Sequence, residues 1–130
     1  MQQVFKAIGN FILNWLAVIL LVVVHPLNFL TELIKIANPS KKSFNNALEI
    51  DKFGNVLYQT FWDATFRTRG GYAFGKEGET ISVAMAKNMK MGTLSWFGWI
   101  IAFFMNVVDI TTWGKGGHFK GIADKPRLEK

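Results

Sequence analysis

Gly70, Gly75 and Lys76 have the spacing G-x-x-x-x-G-K. In that pattern a glycine-rich loop wraps its amides, and a lysine its ammonium, around nucleotide phosphates. The next residue is Glu77, where a hydroxyl would be needed to meet magnesium, and the preceding FWDATFRTR has helical rather than strand character. Gly78 weakens the helix that ought to follow, so these glycines read more simply as turn residues. His118 lies in WGKGGHFKG, and no Ser, Cys or Asp arrangement around it forms a recognisable triad; an exposed loop histidine is expected. His25 sits inside an apolar run with no acidic partner nearby. The chain has no cysteine, which excludes a disulfide framework and a thiolate metal site, and two distant histidines make a poor zinc site. No catalytic residue, metal ligand or cofactor is assigned from these patterns.

The elements around these residues point to lipid. Of 130 residues half are hydrophobic and only 18% are charged, and the apolar residues fall into two blocks. The first, from Ile8 to Leu30, contains no Asp, Glu, Lys or Arg. About 20 apolar residues cross a bilayer core. A secretory signal peptide is the rival, since Lys6 supplies a positive start. The run exceeds the roughly 7 to 15 apolar residues of a signal core and no small-residue cleavage site follows, so an uncleaved anchor over 1–36 is expected. Trp15 and Lys35 suit the interfaces. Pro26 deprives the carbonyl of Val22 of its partner, so a kink or helix end is expected at His25 and Pro26.

The second block, LSWFGWIIAFFMNVVDITTW at 94–113, carries Asn106 and Asp109 near its end. At helical spacing Ser95, Gly98, Ala102, Asn106 and Asp109 share one narrow face, and small residues on one stripe let membrane helices approach closely. The expected fold is all-α, with two transmembrane helices in a hairpin. Asn10 and Asn14 would then lie level with Asn106 and Asp109 in an interhelical polar clasp. A single anchor with a surface-lying or buried second helix is the alternative. Lysines and arginines are divided so evenly between the connection and the termini that orientation is only slightly biased towards a cytoplasmic connection.

The connection, 37–92, reads as basic and partly helical. After the stop at Pro39 and a cap at Ser43, Val56, Leu57, Thr60, Phe61 and Ala64 fall on one helical face that needs a partner. In ETISVAMAKNMKMG, Ile81, Met85 and Met89 take one side and Lys87 and Lys90 the other. With Lys41 and Lys42, these are candidates for lipid or partner contact, although the apolar side could equally pack on the preceding helix. The formal charge of +6 favours anionic partners, phospholipid head groups or nucleic acid. A polar, basic tail over 115–130 closes the chain.

One pattern runs across these elements: Asp51, Asn55, then Gly78, Glu79, Thr80, Ile81 and Ser82, a lysine-bearing helix, Gly92, Asp109, and Gly116, Gly117 and His118. Over roughly residues 48 to 120 it resembles small uncharacterised proteins of bacteriophages and prophages that carry a Glu-Thr-Ile-Ser core and often end in Gly-His-Cys. Here Phe119 stands in place of that cysteine, and the helix after Gly92 is more apolar. The resemblance implies a viral source and no mechanism. The expected function is a non-enzymatic integral membrane protein, an oligomerising membrane component of a virion or of its genome-delivery apparatus. A holin-like lysis protein and a membrane-tethered regulatory or exclusion factor bound to a host membrane protein are the alternatives.

Overall fold

In the computed structural model residues 1–35, 39–109 and 112–122 are described, residues 39 and 40 by backbone alone. The residues from 123 to 130, which complete the expected basic tail, lie outside the described residues, as do 110 and 111 in the second apolar block. The described chain is all-α: α1 (Gln2–Lys35), α2 (Pro39–Leu57), α3 (Gln59–Thr65), α4 (Ile81–Met91) and α5 (Trp96–Val108). Among the described residues there is no strand, only an antiparallel bridge between Arg67 and Leu94. The chain divides into two compact units, residues 1–45 and 46–130. The boundary falls inside α2, and the second unit joins most of the expected connection, the second apolar block and the tail.

In the first unit, α1 has 34 residues, about 51 Å at 1.5 Å per residue. It is the one described helix long and apolar enough to cross a membrane, and none of its most apolar 18-residue window is buried within the structure. His25 and Pro26 are exposed along it. The expected helix end at this pair does not occur: α1 runs on for nine residues beyond Pro26. Local bonds brace that end, with Thr31 donating to the Leu27 carbonyl and Asn28 to Glu32. Asn10 and Asn14 are exposed on α1, and Lys41 and Lys42 on α2.

The second unit is built on well-capped helices. Thr80 opens α4 by accepting from the Val83 amide, and Gly92, left-handed at φ +69°, closes it with its N–H on the carbonyls of Asn88 and Met89. Ser95 opens α5 by accepting from Gly98. A serine or threonine cap of this kind contributes about 1 kcal/mol, and a glycine takes the left-handed closing turn without a Cβ penalty. Phe66, Phe74, Ala84, Met85, Leu94 and Ala102 form the core. Phe66 is its hub, its ring set against those of Trp62, Phe74 and Phe97.

Three expectations change here. The face of Val56, Thr60, Phe61 and Ala64 is exposed, with only Leu57 half-buried. The inward side is instead Asn55, Trp62 and Phe66, spaced by seven and four, and Trp62 donates to the Gly54 carbonyl. On α4, Met85 is fully buried and Met89 packs against the core, so that side covers protein rather than lipid or a partner. Finally, the small-residue stripe of α5 packs within its own unit. A Cβ on Gly98 would lie 2.8 Å from both the Phe66 carbonyl oxygen and Leu94 Cδ1, and Ala102 is buried. Ser95 donates to the Thr65 carbonyl. The contact that the stripe allows is thus with α3 and its following turn.

Candidate functional site

The glycine-rich segment between α3 and α4 is held by three side chains from the helices around it. Asp63 accepts from the amide of Phe74 at 2.9 Å, Asn55 from that of Gly75 at 3.1 Å, and Asn88 from that of Tyr72 at 2.8 Å. These amides, which a phosphate loop would aim at its ligand, face protein instead. Lys76 lies over the Tyr72 ring, 4.0 Å from its centre, with Lys87 4.4 Å from the same centre. Beneath them Glu79, 7% exposed, accepts from the Tyr72 hydroxyl and from Lys87 at 2.7 Å. Burial on its own would lower the Lys87 pKa, but the bonds to Glu79 and Tyr72 outweigh it and raise it. Lys87 therefore serves an internal ion pair, while Lys90 on the same helix is exposed.

A second group of polar side chains gathers from four distant segments. His118 Nδ1 lies 2.6 Å from Asp109 Oδ2, and His118 Nε2 lies 3.1 Å from Ser82 Oγ. Ser82 Oγ is 3.2 Å from Asp51 Oδ2, and Asp51 Oδ1 accepts from the Ile81 amide at 3.0 Å. Asp51 comes from α2, Ser82 from the first turn of α4, Asp109 from the end of α5 and His118 from the loop beyond it. That loop is tied down because Asn106 Oδ1 accepts from the His118 amide at 2.7 Å. Gly117 makes this approach possible: its φ is +89°, and a Cβ there would lie 2.7 Å from Asn106 Oδ1. Phe119 sets its ring edge-on to His118 and packs on the core.

The expectation of an isolated, exposed His118 is therefore corrected. The connectivity Ser82–His118–Asp109 is that of a nucleophile, a base and its orienting carboxylate. Two features separate it from a working acyl-transfer site. Ser82 is 5% exposed, and the adjacent amides of Ile81 and Val83 are bonded to Asp51 and Thr80 rather than open to an oxyanion. What the four groups can do is pass a proton. The Ser82 hydroxyl has one hydrogen for two neighbours. With Asp51 protonated, Asp51 donates to Ser82 and Ser82 to a neutral His118; with Asp51 ionised, a protonated His118 donates to Ser82 and Ser82 to Asp51. Between the two states one proton moves through the serine, and His118 keeps its bond to Asp109 in both.

Burial pushes the Asp51 pKa up against the opposing pull of the Ile81 amide, the Ser82 hydroxyl and amide, and the His118 charge. A carboxyl raised in the folded state binds more protons folded than unfolded, so its contribution is fully present below its unfolded value, near 3.8, and is lost as pH rises through its folded value. Asn at this position keeps an acceptor for Ile81 and a donor for Ser82 without a charge. Asp51→Asn is therefore expected to gain stability relative to the native chain as pH is raised from about 4 to 7, read as the difference between thermal unfolding midpoints in detergent. A difference that is flat, or that falls with pH, would show that Asp51 stays ionised at no cost.

Of the residues picked out from sequence, the structure brings together Asp51, Asn55, Glu79, Thr80, Ile81, Ser82, Asn106, Asp109, Gly117 and His118. Asp109 is bonded to His118 in the second unit, where the sequence offered Asn10 and Asn14 as its companions. Tyr72, Asp63 and Asn88 could not be picked out beforehand, since single polar residues in turns and on helices of mixed composition have no periodicity to reveal them. No protein-family model, curated protein or solved structure matches this chain.

Proposed function

We propose that this chain is a non-enzymatic integral membrane protein, held by α1 and presenting residues 46–130 as a compact binding module at the membrane surface, where it assembles with further copies or with other membrane proteins. The observation that carries this reading is the length of α1 together with the complete exposure of its apolar window. So much apolar surface on a single helix is stable in water only if something covers it, and lipid matches its uniform character. A virion or genome-delivery role rests on the resemblance carried by Asp51, Asn55, Gly78–Ser82, Gly92, Asp109 and Gly116–His118 alone.

The two-span hairpin stands as a second reading because α5 keeps a large apolar face outside its unit. Reporter fusions after Lys42 and after Lys130, in the full chain expressed in a bacterial inner membrane, separate the two. Both reporters are expected on one face; opposite faces would make the 94–113 region a span. In the same cells respiration is expected to continue, and its arrest on expression of this chain alone would replace the assembly role with holin-like permeabilisation.

A further inference from the structure

We infer that α5 is a second, interfacial membrane contact, lying in the head-group zone of a phospholipid bilayer with its outer face turned to the acyl chains. The inference rests on α1 as the anchor. It commits residues 46–130 to a defined lipid-facing surface rather than to a tethered position in water.

The face is set by helical spacing. Trp96, Trp99, Ile100, Phe103, Phe104, Val107 and Val108 recur at intervals of three, four and one along α5, and each is exposed by 42% or more. The opposite side, Gly98 and Ala102, is buried against Phe66 and Leu94. A helix with its small residues inwards and its large aromatic ones outwards is the reverse of a soluble surface helix. Its 13 residues contain no charge. A shallow, open depression beside this face is lined by Ile101, Phe104, Met105, Val108, Asp109 and His118, and its exposed surface is almost wholly apolar.

Three observations select lipid as the occupant. Tryptophans mark both ends of the face, Trp96 and Trp99 at its start and Trp113 just beyond it, where indole rings prefer the membrane interface. Cations flank it: Arg69 is exposed in the segment whose neighbour Thr68 bonds to Thr93 at the start of α5, and Lys115 and Lys120 are exposed in the loop after it. This complements anionic head groups around an uncharged centre. The same chain also supplies a helix long and apolar enough to cross a membrane, and with that helix as the anchor a bilayer is within reach of every copy.

Length decides between lying and spanning. Thirteen residues make about 20 Å of helix, against a hydrocarbon core of about 30 Å. The C-terminal end of α5 is also tied by Asn106 and Asp109 to His118, and through it to Ser82 and Asp51. Drawn to mid-bilayer, α5 would take that polar group with it.

The absence of cysteine makes the test direct. Single cysteines replacing Leu20, Lys76, Phe103 and Val107 in the full chain are spin-labelled in vesicles of phosphatidylcholine and phosphatidylglycerol, and depth is read from the relative accessibility of each label to oxygen and to a water-soluble nickel chelate. All four sites are exposed, so the labels leave the core intact. The expected result is Leu20 deep, Lys76 in water, and Phe103 and Val107 at a shallow depth that lessens when the anionic lipid is omitted. Labels at 103 and 107 in water with Leu20 deep would overturn the docking and leave the anchor standing. Labels at 103 and 107 as deep as Leu20 would overturn it in favour of a second span. A Leu20 label in water would remove the anchor itself.

Discussion

Replacing Leu20 and Leu21 together by arginine is expected to release the protein from membranes. Both residues lie near the middle of the uncharged run from Ile8 to Leu30, and both are exposed on α1. An arginine at the centre of a membrane helix costs about 2.5 to 3.5 kcal/mol on the insertion scale, so the pair opposes insertion by about 5 to 7 kcal/mol. Snorkelling relieves such a cost only near helix ends, which these positions are not. The measurement is the fraction of full-length chain left in the membrane pellet after an alkaline carbonate wash. The native chain is expected to stay in the pellet and the double variant to move to the supernatant. Retention of the double variant would assign anchoring to another element, with the outer face of α5 the first to test. Intact mass of the pelleted native chain completes the experiment: a chain shortened past α1 would make this helix a cleaved leader.

The two halves of the chain differ in how much of them was legible. The α1 helix could be read because its signal is simple, a long uncharged apolar run, and of the two outcomes expected at Pro26, a kink or a helix end, the helix end does not occur. In α4 the apolar side of Ile81, Met85 and Met89 was visible and is the inner one, whereas in α5 the helix was visible but its inner and outer sides were not. Hydrophobic periodicity identifies an inner face only when the outer one is polar, and α5 is apolar all round. The decision there fell to size: Gly98 and Ala102 allow close approach, which served Phe66 and Leu94 of the same unit instead of a second membrane helix. The face of Val56 and Phe61 failed for another reason: the inward side carries Asn55 with Trp62 and Phe66, and a buried polar residue breaks the apolar count that picks out a face. The polar group around His118 was concealed by separation: Asp51, Ser82, Asp109 and His118 are spread over 68 positions, and no local spacing rule connects them.

Asn88 is expected to be the most sensitive position in residues 46–130, and Asn88→Ala alone should be severely destabilising. Asn88 is fully buried and uses both ends of its amide. Its oxygen accepts from the Tyr72 amide and the Thr93 hydroxyl, and its nitrogen donates to the carbonyls of Tyr72 and Ala84. Alanine leaves the Tyr72 N–H and C=O without these partners in the interior. At about 1 to 3 kcal/mol for each buried group left unsatisfied, the loss is about 4 kcal/mol, a large share of the 5 to 15 kcal/mol by which domains are usually stable. Asn88→Asp should be worse at neutral pH, because it keeps the acceptor, loses both donors and buries a charge, and it should recover part of the loss on acidification as the protonated carboxyl regains one donor. Lys76→Ala, which removes only an exposed cation above the Tyr72 ring, is the control and should cost no more than about 1 kcal/mol. Pulse proteolysis of the full chain in detergent across a urea series reads all three, since α1 is shielded by the micelle and cleavage reports the second unit. Equal midpoints for Asn88→Ala and Lys76→Ala would mean that water replaces the lost bonds at no cost. The larger effect would reach the lipid-facing helix: Asn88 holds Thr93, Thr93 pairs with Thr68, and Ser95 after it caps α5, so freeing Asn88's partners loosens the mount that orients the outer face of α5.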